Sequence, residues 1–449
     1  MKNLYKYILL LLFILTTNAC SDLLTPKPVD LLVDDLALNE PADVPNAEIG
    51  LYSAFRGITS NIIIAGDLTA DMLLHNGTFT QYRELGIKQI TPANASASEI
   101  WGSIYHTIYI ANFILERLPN IEGVTSAERT KVLATAHFLR GYAYFIGLYT
   151  FGGIPKVTNT DIQSNRNIER APVQDILDYI LDDYTQALGN LTTQPTNAGF
   201  ASDYAVQSAL AKYYLYIGKW AEAEQYSTPV IESGNYPLES KFSNVVLKDF
   251  TSESIFEMGY TISDDPATLN TLFVSRREII PSNQEILALA SDESGDRFSS
   301  ITFNSNDLKG NDNGWSVAKY GTAVEDNNNI VVFRLPEIYL IRAEARAQQG
   351  KVTGTGSAQE DINVLRTRAK APLVSSVSQN QMLSIIEDER RYELAFEGHR
   401  WYDLVRTGRA SQVMTLFSSA WKDTYNLWPI PQREIQNNPA LVGHQNPGY

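Results

Sequence analysis

Apolar side chains recur with the period of an α-helix through most of this chain. In the stretch 125–150 they follow one another at alternating steps of four and three, which places on one face Val132, Ala136, Leu139, Ala143 and Ile146. Thr125 and Glu128 have the spacing of a capping box at its start. Gly152 and Gly153 supply a stop after it. The pattern predicts one helix with a buried face from Thr125 to Thr150.

A second stretch, Ser202 to Leu238, predicts two short helices. Ser202 or Asp203 can cap the first, whose apolar face consists of Val206, Leu210, Tyr213 and Ile217. Gly218 turns the chain, and the second helix begins near Trp220 and ends by Gly234. Small residues such as Ala223 let the two helices approach closely. Two short helices within about 34 residues are typical of a tetratricopeptide unit.

A second helix pair is predicted near the C-terminus. Its first helix lies in Arg334–Gly350, where Pro336 suits the first turn and Gly350 the end. The apolar face of its partner consists of Ala358, Ile362, Leu365 and Ala369. A third helix is predicted from Gln379 to Phe396. Its segment "EDERRYE" is explained by structural charge pairs or by an exposed charged face, since mixed charges at steps of three and four support a helix.

Residues 241–330 differ from the rest of the chain. They are rich in Ser, Asn, Asp and Gly, and two short apolar runs, "SIFEMGY" and "NIVVFRL", are predicted to be strands. The fold class that we predict is therefore mostly α, with tetratricopeptide-like helix pairs in a superhelical scaffold. An irregular, loop-rich region with short strands completes it. Loops on a rigid scaffold usually carry the binding function.

The N-terminus has the order of a secretory signal. Lys2 and Lys6 precede the apolar run 8–15, which is too short to span a membrane, and small residues then lead to Cys20. Cys20 is the only cysteine of the chain. Residues 1–19 are therefore predicted to be a lipoprotein signal peptide, and Cys20 the site of lipid attachment. An N-terminus with several acyl chains holds a protein durably at a membrane.

Composition excludes several classes of function. The chain has 51 acidic and 36 basic residues, a formal charge of −15, which argues against binding of nucleic acid. No H-E-x-x-H, G-x-S-x-G or phosphate-loop motif is present. We expect no catalytic residues, no cofactor and no metal. The oxygen-rich segment Asn304–Gly314 could be considered for calcium, but its spacing does not match an EF-hand and favours a solvated turn.

Six segments resemble the SusD/RagB family of outer-membrane nutrient-binding lipoproteins. They are "CSDLLTPKP" after the signal, Trp101–Pro119, His137–Pro155, Arg334–Gly350, "ERRYELAFEGHRWYDLVRTGR" at Glu389–Arg409 and "LWPIPQREIQNNPALVGHQNPGY" at the end. The resemblance spans nearly the whole mature chain. It implies one family domain over residues 20–449. Its parts are a tether (20–40), a helical scaffold (41–240 and 331–449) and a ligand-facing region (241–330).

The resemblance also implies a function. It implies a surface-exposed lipoprotein at the outer membrane, with Ser21 and Asp22 resembling a surface-export signal. Its partner would be a SusC-like, TonB-dependent barrel, and its ligand an oligosaccharide or a peptide that is bound and not cleaved. Two alternatives stay open from the residues alone. One is a tetratricopeptide-type assembly adaptor without a small ligand, and the other is a surface glycosidase.

The ligand-binding residues have to be sought by chemistry. Sugars stack on flat aromatic rings while fixed polar side chains hold their hydroxyl groups. Aromatic residues in irregular, polar segments are therefore the candidates. In Gly66–Gly86 they are Phe79 and Tyr82, beside Asp71 and Asn76, and in Asn311–Tyr320 the candidate is Trp315. Trp101, Trp220, Trp401 and Trp428 lie in helical or family segments and are predicted to pack in the core.

Overall fold

A computed structural model describes residues 38–260, 267–304, 312–321 and 328–449. The predicted signal peptide 1–19, the lipid-attachment residue Cys20 and nearly all of the tether 20–40 lie outside the described residues. So does most of the segment considered for calcium, Asn304–Gly314. The predictions for these parts therefore stay predictions.

The first half of the described chain is a stack of helices. They are α1 (Val44–Ile63), α2 (Thr80–Gly86), α3 (Ala95–Arg117), α4 (Ser126–Phe151), α5 (Ile162–Asn165), α6 (Val173–Ala187), α7 (Asp203–Tyr216), α8 (Trp220–Glu232) and α9 (Phe242–Leu247). Helix α4 packs against both α3 and α6, and α1 packs against α3. The Thr125 hydroxyl accepts the N–H of Glu128, and Gly152 ends the helix with φ of 78°. The predicted apolar face of α4 is buried throughout.

The two predicted helix pairs are confirmed. Helices α7 and α8 pack on each other, Ser202 caps α7, and Ala223 is completely buried where the helices meet. The C-terminal helices are α12 (Leu335–Gln348), α13 (Ala358–Ala369), α14 (Gln379–Glu393), α15 (Arg400–Arg406), α16 (Ala410–Phe417) and α17 (Gln432–Asn437). Helix α12 packs against α8, α13 and α14, so it joins the two pairs into one scaffold.

The described residues also form short, two-stranded antiparallel sheets. The strands are β1 (Leu73–His75), β2 (Ser254–Met258), β3 (Ile279–Pro281), β4 (Ile301–Phe303), β5 (Trp315–Val317) and β6 (Ile330–Arg334). They pair as β1 with β3, β2 with β6, and β4 with β5. The two strands predicted from "SIFEMGY" and "NIVVFRL" are thus partners of each other. This part of the chain also holds the short helices α10 (Ala267–Asn270) and α11 (Asn283–Leu289), which the sequence did not predict.

The prediction that helix α14 reaches Phe396 was wrong. The helix ends at Glu393, and Phe396 takes a left-handed backbone conformation with φ of 65°, which an α-helix cannot include. Structural charge pairs account for most of "EDERRYE", in which Asp388 is exposed and Glu387 and Arg391 are partly buried. Glu389, Arg390 and Glu393 are each at most 4% exposed and form ion pairs. The segment carries structural charge pairs inside the protein.

Candidate functional site

The turn Arg276–Glu278, which leads into β3, connects candidate residues from two distant segments of the sequence. On one side it contacts the loop after β1, which contains Asn76 and Phe79. On the other side it contacts strand β5, which begins with Trp315. Two candidate segments more than 200 residues apart are therefore attached to one three-residue turn.

The buried carboxylate of Glu278 fixes the loop after β1. It accepts the backbone N–H of Phe79, and its Oε1 lies 3.3 Å from Nε2 of His75. The Glu278 carbonyl accepts the backbone N–H groups of Asn76 (2.8 Å) and Gly77 (3.1 Å). A Cβ atom on Gly77 would lie 1.9 Å from Oε2 of Glu278, so only glycine lets the loop approach this closely. The position of Phe79 depends on this contact.

Phe79 and Tyr82 form the aromatic part of this side. Their rings meet edge to face with centroids 6.1 Å apart, and the guanidinium of Arg276 lies 4.4 Å from the Phe79 centroid. Both rings are half-buried against the core. Burial is the main cause that raises the pKa of Tyr82 to about 12. Its hydroxyl is protonated at neutral pH, as in an ordinary tyrosine, and can donate a hydrogen bond.

Arg277 connects the turn to strand β5. Its backbone has φ of 51°, its carbonyl accepts from Asn76 Nδ2, and its guanidinium donates to the Trp315 carbonyl at 2.9 Å. The same guanidinium binds both carboxylate oxygens of Asp312 and the hydroxyl of Ser316. These hydrogen bonds hold the pKa of Asp312 below its usual value. The charges of Arg277 and Asp312 therefore neutralise each other beside the start of strand β5.

Three rings form an aromatic cluster: Trp315 on β5, Phe303 on β4, and Phe298 in the short 3-10 helix Gly295–Ser300 that leads into β4. The Trp315 centroid lies 5.5 Å from that of Phe298 and 5.2 Å from that of Phe303, its cross-strand partner. Phe303 is 55% exposed and Phe298 38% exposed, while Trp315 is half-buried between them. An exposed aromatic surface with fixed polar groups beside it can stack the apolar face of a sugar ring.

Asp71 does not belong to this surface. Its carboxylate is 2% exposed and binds Nε of Arg400 at 2.9 Å. Burial opposes its ionisation, but the charges of Arg400 and Arg391 outweigh that effect and lower its pKa. The prediction that Asp71 contacts a ligand is therefore corrected. Both the carboxylate and its partner Arg400 are buried, so Asp71 stabilises the scaffold.

A buried charge cluster includes Arg297, the residue that precedes Phe298 of the aromatic cluster. It consists of Arg297, Lys319, Arg334, Arg366, Arg368, Glu253, Glu389, Glu393 and Glu397. Arg297 is fully buried and its Nε donates to Glu393 of α14 at 2.6 Å. Since Phe298 is the next residue, the cluster fixes the backbone from which this ring projects.

Sequence reasoning missed four residues of the site. Phe298, Phe303, Arg277 and Glu278 carried no signal, because each takes its role from a partner that is distant along the chain or across a strand pair. Within the described ranges, no group of three or more His, Cys, Asp and Glu side chains is placed to hold a metal ion. In the same ranges no helix is both long and apolar enough to cross a membrane.

Comparisons with known proteins agree on one family. A model described as the SusD family matches residues 300–449, and one described as starch-binding associating with outer membrane matches residues 43–215. SusD-like protein P38 of Formosa agariphila is 25% identical, covering 100% of this chain and 99% of its own. Starch-binding protein SusD of Bacteroides thetaiotaomicron is 24% identical over 80% of each chain.

The fold is also that of solved structures. A laminarin binding SusD-like protein superposes with a TM-score of 0.78 at 23% identity, covering 92% of this chain and 100% of that one. A SusD homolog from Bacteroides thetaiotaomicron superposes with a TM-score of 0.80 at 20% identity, covering 93% and 98%. Since these chains are nearly matched in length, the similarity applies to the whole architecture.

Proposed function

The chain belongs to the SusD family, and from that premise we propose that it captures a glycan at the outer membrane without cleaving it. The observation that carries the proposal is the exposed aromatic cluster of Trp315, Phe298 and Phe303. Starch and laminarin appear in the names of its relatives, so both are the first ligands to test. A peptide is the second class of ligand, as the family resemblance implies.

Binding is tested on the acyl-free protein that begins after Cys20. Isothermal titration against starch, laminarin, other glycans and peptides should give saturable binding to at least one glycan. A reducing-sugar assay on the same mixtures should show no release, because no catalytic motif is present in the sequence. Release of reducing ends by the pure protein would contradict the non-catalytic role and favour the glycosidase alternative.

The site is tested by Phe303→Ala, because this ring is the most exposed of the aromatic cluster. Removing an aromatic contact should weaken glycan binding about tenfold, the equivalent of about 1.4 kcal/mol. The matched control is Phe200→Ala, a ring that is 38% exposed and contacts Tyr52 elsewhere on the protein. Equal affinities of the two variants would contradict the proposed site.

The proposal includes an anchor and a partner. We propose that Cys20 is acylated, that the protein faces the outside of the cell, and that it delivers its ligand to a SusC-like, TonB-dependent barrel. Cys20→Ala should release folded protein from the membrane fraction, and a variant that stays membrane-bound would refute the anchor. Affinity purification from membranes should recover the barrel. If the barrel is recovered and no ligand of the panel binds, the adaptor alternative is favoured.

A further inference from the structure

A pocket of about 240 Å³ lies between helices α12, α14 and α15, and none of its residues belongs to the aromatic cluster. It opens to solvent at Ser384 and Thr407, which are both exposed. Leu383, Ile386 and Leu404 supply its apolar wall. A water molecule takes about 30 Å³ in the liquid, so the pocket has the volume of about eight waters. That is enough for one small molecule and too little for a chain of sugar units.

The charged side chains of the pocket are balanced. Four arginines and three carboxylates line it: Arg390, Arg400, Arg406, Arg409, Glu344, Glu387 and Asp403. A fourth carboxylate, that of Asp71, binds Arg400 from outside the pocket at 2.9 Å. The neighbouring pair of Arg391 and Glu285 adds one charge of each sign and leaves the balance unchanged.

Arg390 nevertheless has donors without an acceptor. It is 4% exposed, and its Nε donates to Asp403 at 2.7 Å. Its Nη1 and Nη2 are buried and have no hydrogen-bond partner among the described residues. Burial opposes the ionisation of Asp403, but the charges of Arg390 and Arg406 outweigh it and lower its pKa, so Asp403 keeps the Nε side occupied. A buried donor without an acceptor costs free energy, and a charged one costs more, so an oxygen that enters the pocket gains by accepting these N–H groups.

A carboxylate is the ligand group that fits these donors. Its two oxygens lie in one plane and can accept both N–H groups at one end of a guanidinium. A single negative charge is favoured over two, because the cations of the pocket are already balanced and Glu344, Glu387 and Asp403 repel a dianion such as sulfate. The apolar wall of the pocket suits a short hydrocarbon body attached to the carboxylate.

We propose that this pocket binds a small monocarboxylate with a short apolar body, whose oxygens accept the free N–H groups of Arg390. The site is additional to the proposed glycan surface, with which it shares no residue. It therefore does not rest on the proposed function, and each of the two can fail without the other.

The probe is sodium butyrate, titrated calorimetrically into the acyl-free protein at constant ionic strength. The same titration is made with 1-butanol, which has a similar body without the charge, and with sodium sulfate. Butyrate should bind saturably at one site and at least about tenfold more tightly than either of them, a difference of about 1.4 kcal/mol.

Two variants of the pocket locate the binding. Gln348→Glu adds a carboxylate at a half-buried position of the pocket and leaves Arg390 in place, and the added repulsion should weaken butyrate binding about tenfold or more. Arg390→Lys keeps a positive charge beside Asp403 but removes the paired donors, so it should cause a similar loss. The matched control is Gln284→Glu, on an exposed position of α11 outside the pocket, which should leave the affinity unchanged.

Each result decides the proposal. Absence of saturable butyrate binding, or equal affinities of the natural protein and Gln348→Glu, would refute the site. If Arg390→Lys does not fold, Gln348→Glu still decides, since it retains Arg390. Tighter binding of sulfate than of butyrate would overturn the monocarboxylate class. Phe303→Ala should leave butyrate affinity unchanged, and a loss in that variant would place butyrate at the aromatic cluster and refute the pocket.

Discussion

Replacing Glu393 with glutamine tests whether the buried charge cluster holds the loop-rich region 241–330 on the helical scaffold. Glu393 is fully buried, and its carboxylate contacts three guanidinium groups, those of Arg297 (2.6 Å), Arg334 (2.6 Å) and Arg368. Burial opposes its charge, but these arginines outweigh burial and lower the pKa of Glu393 well below its usual value. Glutamine has the same shape but turns one acceptor oxygen into a donor that faces other donors.

The magnitude follows from the loss of one partner in a buried ion pair. Such a loss usually costs about 3–5 kcal/mol, because the remaining charges stay buried without compensation. For a chain of this size, with about 2.1 cal/mol/K of unfolding entropy per residue, that corresponds to a melting temperature about 3–6 °C lower. The matched control is Glu387→Gln on the same helix. Its side chain is 23% exposed and pairs with Arg409 at 3.0 Å and with Arg400 at 3.4 Å, and Arg400 keeps both contacts with the Asp71 carboxylate when Glu387 is replaced. Exposed pairs contribute about 0–1 kcal/mol.

The assay is urea unfolding of both variants at neutral pH, followed by circular dichroism. The unfolding free energy should fall by several kcal/mol for Glu393→Gln and hardly change for Glu387→Gln. Because the buried charge cluster positions Phe298 through Arg297, Glu393→Gln should also bind glycan more weakly. A Glu393→Gln protein as stable as the control would refute the structural role of the cluster.

Three further outcomes are expected. Burial raises the pKa of Asp67 to about 8. Between about pH 4 and pH 8 the folded state therefore keeps a proton on Asp67 that the unfolded state releases. The free energy of unfolding should fall as the pH rises through this range, by up to about 1.4 kcal/mol per pH unit. Unfolding of Asp67→Asn at pH 5 and pH 7 should show a smaller decrease, and equal decreases would contradict this origin. Gly77→Ala should displace the Glu278 carboxylate and lower both the melting temperature and glycan affinity. Gly102 lies at an exposed position of α3, and nothing lies within 4 Å of the Cβ that Gly102→Ala would add. Because alanine favours the helix more than glycine, this variant should increase the free energy of unfolding by up to about 1 kcal/mol and raise the melting temperature. A lower melting temperature would contradict this reasoning.

The helices could be predicted because their signals are local. Thr125 and Ser202 cap helices through contacts with residues three positions later, and Gly152 and Gly218 end them through their own backbone conformation. The end of α14 could not be predicted, since nothing near Phe396 indicates its left-handed backbone. The apolar periodicity of the sequence continues past Glu393, where the helix ends.

The site could be predicted only in part because its contacts are long-range. Trp315 was a candidate from its polar surroundings, but its partner Phe303 follows from strand pairing, which short and irregular sequences do not specify. Asp71 was assigned to the ligand because it lies in the same segment as Phe79 and Tyr82, whereas its actual partner, Arg400, is 329 residues away. A charged residue near an aromatic one gives no sign of which of the two faces the solvent.

Arg297 and Phe298 are neighbours in sequence and opposites in role. The arginine is sealed inside the protein by its ion pairs, and the ring beside it lies at the surface. Substitutions at Phe298 or Phe303 can therefore accumulate without changing the ion pairs of the buried charge cluster. With the aromatic cluster as the proposed glycan surface, such a division would let related proteins differ in ligand preference while they keep the same buried ion pairs.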